Sequence, residues 1–187
     1  MVDARIVQTT RALHAAVLQL ASQQPVSTIT VADVTRAAGI NRATFYSHAT
    51  SPGALLTAVL TPELDEIRAD DRALREQGTS GPDATRRALE RVVDHVVRHR
   101  EVYRLALPDA LDASIHQALA KHFETSSVQH LQSLPEGTLP EGVAVHIAAG
   151  SYAHGLVGAI EAWLVGKRTS RRTLLETMSL MTPSWWN

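Results

Sequence analysis

A chain of 187 residues with 44% apolar side chains can bury one medium core or two small ones. Ten Gly and eight Pro are too few for a low-complexity chain, and zero Cys excludes disulfide scaffolds, thiolate metal sites and thiol nucleophiles. A net charge of −1 argues against a uniformly basic nucleic-acid coat, but the first 50 residues hold four Arg and two Asp while the rest is net acidic, so a local anion-facing surface is expected near the N-terminus.

Ile6, Thr10, Leu13, Val17 and Leu20 recur at steps of three and four, the stripe of one amphipathic helix that Pro25 stops. Hydroxyls at Ser27, Thr28 and Thr30 offer caps for a second helix over Val31–Ala38, with Asp33 near its positive end and Gly39 as its C-cap. Asn41 caps a short third helix reaching about His48, and Ser51-Pro52 opens a long helix to residue 76. Residues 77–82 break the chain. A helix over 83–100 should bury Leu89, Val92, Val93, Val96 and Val97, followed by a short segment at 101–107. A helix over 109–132 should bury Leu111, Ile115, Leu119 and Phe123, and a Pro/Gly loop spans 133–142. Two last helices are read over 143–166 and 170–181. No alternating run supports a strand, so the class is all-α.

The 23 residues Val143–Val165 are long and apolar enough to consider a membrane span. His146, His154 and Glu161 lie within it, and so many Ala, Gly and Ser give weak insertion drive. A packing helix is expected instead, and no membrane partner. The first residues lack the basic-plus-apolar pattern of a secretion signal, which suits a cytoplasmic protein.

The segment from Thr30 to His48 reads as helix, tight Gly turn, helix, with Val34, Ala38, Ile40 and Phe45 spaced to make one small core. That is the content of a helix-turn-helix, whose second helix enters the major groove. Asn41, Arg42, Ala43 and Thr44 fall in its first turn, where base contacts concentrate; Arg42 suits a guanine edge or a phosphate equally. Thr44, Tyr46 and His48 carry donors suited to phosphate oxygens, and Thr30 and Arg36 are further backbone candidates.

This segment resembles the DNA-binding domain of the TetR/AcrR transcriptional regulators: Thr28 and Thr30 at the helix start, Ala38-Gly39-Ile40, and Thr44-Phe45-Tyr46-Ser47-His48. With Arg5, Ile6, Leu55 and Leu56 the resemblance spans about residues 5–60. It implies a three-helix reader domain over 1–50 and a larger helical ligand-binding and dimerisation domain over 51–187. It also implies a ligand-responsive regulator, a repressor, that binds a palindromic double-stranded DNA operator as a homodimer. In one place the chain departs from the family, which usually has an aromatic and then a phosphate-gripping Lys where Ala49 and Pro52 stand. Losing one such contact weakens binding and its salt dependence.

The resemblance further implies a small-molecule effector held between the helices of the body. Inward-pointing amphipathic groups there are Tyr103, His116, Phe123, Tyr152 and His154. It implies a dimer through the last two long helices, for which Ala149, Ala153, Leu156, Ile160, Trp163, Leu164, Leu174 and Met178 are the expected interface. His95 and His99 have the i, i+4 spacing of a chelate, but Arg91 and Arg98 flank them, so a solvated face is expected and no metal. His146 and His154 share a helix face that should be buried and so need partners. No nucleophile triad, phosphate loop, dinucleotide or zinc-protease pattern occurs, so neither catalysis nor a cofactor is expected. Two rival readings remain: a helical ligand-binding or interaction protein with a weakened reader, and a metal-dependent enzyme built on the His residues.

Overall fold

The computed structural model describes residues 4–166 and 169–186, and among them the chain is all-helical, with nine α-helices and two 3-10 turns. The helices are α1 (Ala4–Ala21), α2 (Val31–Ala38), α3 (Arg42–Tyr46), α4 (Pro52–Glu76), α5 (Gly81–Arg98), α6 (Arg100–Ala106), α7 (Ser114–Ser133), α8 (Val145–Val165) and α9 (Arg171–Leu180). No helix among the described residues is long and apolar enough to cross a membrane.

The helices form two compact units, and the division is not at residue 50. One unit joins residues up to Pro62 with His99–His116; the other joins Glu63–Arg98 with the chain from Gln117 onward. The cuts fall inside α4 and α7 and between α5 and α6, because long helices continue past the end of a small core.

In the first unit, α1 buries Leu13 and Val17 against α2 and α6, while Ile6, at the start of the predicted stripe, is 54% exposed. Thr30 and Asp33 close a capping box at the start of α2: Asp33 N–H donates to the Thr30 hydroxyl, and Thr30 N–H donates to the Asp33 carboxylate. The Thr30 hydrogen bonds hold the Asp33 carboxyl below its ordinary pKa. Gly39 takes φ 67°, a left-handed turn any Cβ would strain. Val34 and Phe45, both fully buried, join α2 to α3.

In the second unit, α5 buries Leu89, Val92, Val93 and Val96 as expected, but Val97 is exposed and His95 takes the buried place beside them. Leu111, which belongs to the first unit, is 89% exposed, because α7 starts only at Ser114 and the preceding residues turn on the Asp109 and Asp112 carboxylates. His146 and His154 lie on the open side of α8 and not on its buried face.

Candidate functional site

The first unit presents α3 as a short rod over one buried anchor. Asn41 caps it, its Oδ1 accepting from Thr44 N–H at 2.8 Å and from the Thr44 hydroxyl at 3.0 Å. Phe45 points inward and meets Tyr46 edge-on, with ring centroids 5.5 Å apart. Arg42, Ala43, Tyr46 and His48 face outward, Tyr46 at 60% exposure. Two expected contacts are placed differently. The Thr44 hydroxyl is half-buried and spends its proton on Asn41, and Arg36, though exposed, pairs with Asp33 at 3.2 Å. Thr30 is exposed, with its hydroxyl inside the capping box.

The start of α4 bears on the missing Lys. Ser51 Oγ accepts from Ala54 N–H, so Ser51 and Pro52 together rebuild the cap-then-Pro start without a cation. Burial, then repulsion from His48, lower the pKa of His14 on α1.

The second unit holds a partly open cavity of about 50 Å³ lined by α4, α5, α7, α8 and the Ser184–Trp186 turn. Of the five residues expected to meet an effector, Phe123 and Tyr152 line this cavity. Tyr103 and His116 belong to the first unit, where Tyr103 is fully buried, and His154 is exposed. The polar wall is instead a relay that sequence spacing does not reveal. Asp71 accepts two hydrogen bonds from Arg75 at 3.1 Å, Arg75 donates to Thr85 and to His130 Nδ1 at 3.0 Å, and His130 Nε2 meets the Trp186 carbonyl. This order makes His130 a neutral imidazole that accepts at Nδ1 and donates from Nε2. Burial, the largest influence, also lowers its pKa. His122 is 5% exposed, and burial, Arg68 and His95 push its pKa down to about 4; its Nδ1 has no hydrogen-bond partner. A run of His residues six to eight apart on α7 was the signal in the sequence, but only their burial separates His122 and His130 from exposed neighbours.

His95 corrects a second expectation. It is 1% exposed, and its Nδ1 lies 3.0 Å from Glu63 Oε2, which also receives Arg98. It is a partnered core residue and not part of a solvated face.

The eight residues expected to form a dimer interface are all buried within the single chain, from 0% exposure at Ala149, Ala153, Ile160 and Met178 to 7% at Trp163. They build its own core; Leu156, Leu164 and Leu174 share that fate. The side of α8 left open carries Ile147, Ser151, His154, Gly155, Gly158 and Ala162, and Leu180 and Met181 are exposed at the end of α9. A Cβ added at Gly155 or Gly158 meets nothing within 4 Å, so packing inside the chain does not require glycine there.

A helix-turn-helix unit accompanied by a cavity-bearing helical unit defines an all-α fold. Solved structures of transcriptional regulators share its course. A TetR-family transcriptional regulator of Syntrophomonas wolfei matches with TM-score 0.74 at 12% identity, covering 93% of this chain and 92% of its own. The fatty acid degradation regulator FadR of Bacillus halodurans (TM-score 0.66, 12% identity, 92% and 93%) and the repressor FadR of Thermus thermophilus in complex with lauroyl-CoA (0.66, 18%, 91% and 90%) match similarly. The chain has the TetR-family fold. In sequence, 67 residues are 40% identical to the helix-turn-helix-type transcriptional regulator YxbF of Bacillus subtilis, a match spanning 35% of this chain and 18% of that protein. No family model matches.

Proposed function

We propose that this chain is a DNA-binding transcriptional regulator whose α3 reads the major groove. The observation that carries the reading is the α3 rod itself: Arg42, Ala43, Tyr46 and His48 project from a helix anchored only by Phe45. Arg42 is the base-reading or phosphate candidate with no intramolecular duty of its own in the capping network, and Tyr46 and His48 are phosphate donors. Arg36 and Thr44 act as supports that hold Asp33 and Asn41 in place.

The regulator works as a cytoplasmic homodimer on a palindrome, with recognition helices about 34–36 Å apart. The open small-residue side of α8 and the exposed Leu180 and Met181 support a second copy docking there. A small molecule in the second unit shifts the equilibrium between DNA-competent and incompetent forms, as a repressor released by its effector requires; this needs unequal affinity for the two forms. That a protein of this fold binds lauroyl-CoA supports an effector role.

Selecting binding sites from random duplexes with purified protein tests the reading: a recovered palindrome, shifted by wild type and bound about tenfold more weakly by Arg42→Ala, supports it. The absence of any recovered site at low salt would favour a ligand-binding protein with a silenced reader, the reading that Pro52 and Ala49 support. Sedimentation of Gly158→Trp tests the dimer, which should dissociate to monomers without loss of helix content.

A further inference from the structure

We propose that the cavity of the second unit is built for a small uncharged aromatic alcohol, whose hydroxyl bonds to His122 Nδ1 and whose ring takes the place of the Trp186 indole. The inference rests on the effector-binding reading above and adds the chemistry of the ligand.

His122 lines the cavity, is 95% buried by its 5% exposure, and keeps Nδ1 without a partner. A buried polar atom left so is costly unless something completes it. Its imidazole is neutral throughout the physiological range, so Nδ1 offers either a lone pair or a proton. A hydroxyl is both donor and acceptor and satisfies either tautomer.

Charge narrows the class. The cation on the wall, Arg75, is committed to Asp71, Thr85 and His130. An anionic ligand would meet the Asp71 carboxylate and a guanidinium already engaged. A cationic ligand would meet Arg75. An uncharged molecule meets neither obstacle.

Size narrows it again. The free space of about 50 Å³ is a third of the roughly 150 Å³ that holds benzene in an apolar cavity. A ring therefore enters only by displacing something, and the structure offers one aromatic group that can leave. The Trp186 indole is buried 4.3 Å from the Tyr152 ring and 5.6 Å from His130, yet it is carried by a single 3-10 turn, Ser184–Trp186. Its anchor is the hydrogen bond from His130 to its carbonyl, at the end of the Asp71–Arg75 relay. Displacing it breaks no α-helix. Trp186 also borders the apolar groove formed by Ala148, Gly155 and Met181 on the open side of α8, so ligand entry would alter that surface too.

Calorimetric titration of the full chain at neutral pH, without DNA, tests this with phenol, toluene and benzoate. Phenol should bind at least about tenfold more tightly than toluene or benzoate. Trp186→Ala should strengthen phenol binding by about tenfold, because the competing ring is gone, and His122→Phe should reduce phenol to the level of toluene while leaving toluene unchanged. No phenol binding to wild type or Trp186→Ala up to about 10 mM, equal binding of benzoate, or unchanged phenol affinity in His122→Phe overturns the proposal. If His122→Phe fails to fold, the wild-type preference for phenol over toluene and the Trp186→Ala gain decide. Phenol binding by a protein that selects no DNA would leave this inference standing and remove the DNA-reading one; the converse result would do the opposite.

Discussion

The two units build their sites in opposite ways. In the first, the polar contacts that shape the surface are local: Thr30 with Asp33, Asn41 with Thr44, Arg36 with Asp33, each three residues apart. In the second, the cavity wall is made by groups far apart in the chain, Arg75 with His130 and His130 with Trp186, 55 and 56 residues apart. A surface meant to meet a partner from outside can be organised by caps and a turn, because its donors stay in water until contact. A cavity must satisfy its polar groups internally, and only distant segments brought together can do so.

The sharpest way to break this contrast is to remove the first unit's single anchor. Phe45→Ala should cost about 3–5 kcal/mol and abolish operator binding, read by thermal unfolding and gel shift, since the rod has no other buried side chain. Acid should next strike mainly the second unit. The unfolded chain protonates His122 near 6.5 and the folded protein only near 4, so stability should fall by about 3 kcal/mol as pH drops through that window and level off below it. Burial also lowers the pKa of His130 and His14, which act in the same direction. Denaturant midpoints against pH check this, and His122→Phe should flatten the curve. At the reader, Arg42→Ala should weaken operator binding about tenfold and lower the salt slope, whereas Arg36→Ala should do little, because Arg36 serves Asp33. The smallest effect is expected from Asn41→Ala, about 1 kcal/mol of stability from the lost cap, with the same variant frayed in α3 by hydrogen exchange.

Most element boundaries could be read in advance where a cap and a breaker flank a periodic run: α2 and α4 have the predicted ends, Val31–Ala38 and Pro52–Glu76. Errors arise where periodicity alone was followed. His95 lies on the buried stripe of α5, but a titratable residue is normally assigned to solvent; Glu63, 32 residues away, makes its burial possible. Leu111 continues the α7 stripe and is expected in the core, but the Asp109 and Asp112 carboxylates hold the backbone after them in turns and α7 begins only beyond. On α8 the chain itself covers the apolar residues that the resemblance gives to a second copy, and the small exposed residues form the other side. A helix apolar on most of its circumference does not say which face meets its own chain and which a partner.

The amino-acid order alone was enough to determine an all-helical chain, the Gly39 turn, the caps at Thr30 and Asn41, and the outward set Arg42, Ala43, Tyr46 and His48, because each depends on neighbours within one helical turn. Tertiary structure alone decided that His122 is buried with Nδ1 unpartnered, that Arg75 is committed to Asp71 and His130, and that Trp186 is buried against Tyr152. Desolvation and long-range hydrogen bonding depend on what distant segments bring to a site, and spacing along the chain does not carry that information.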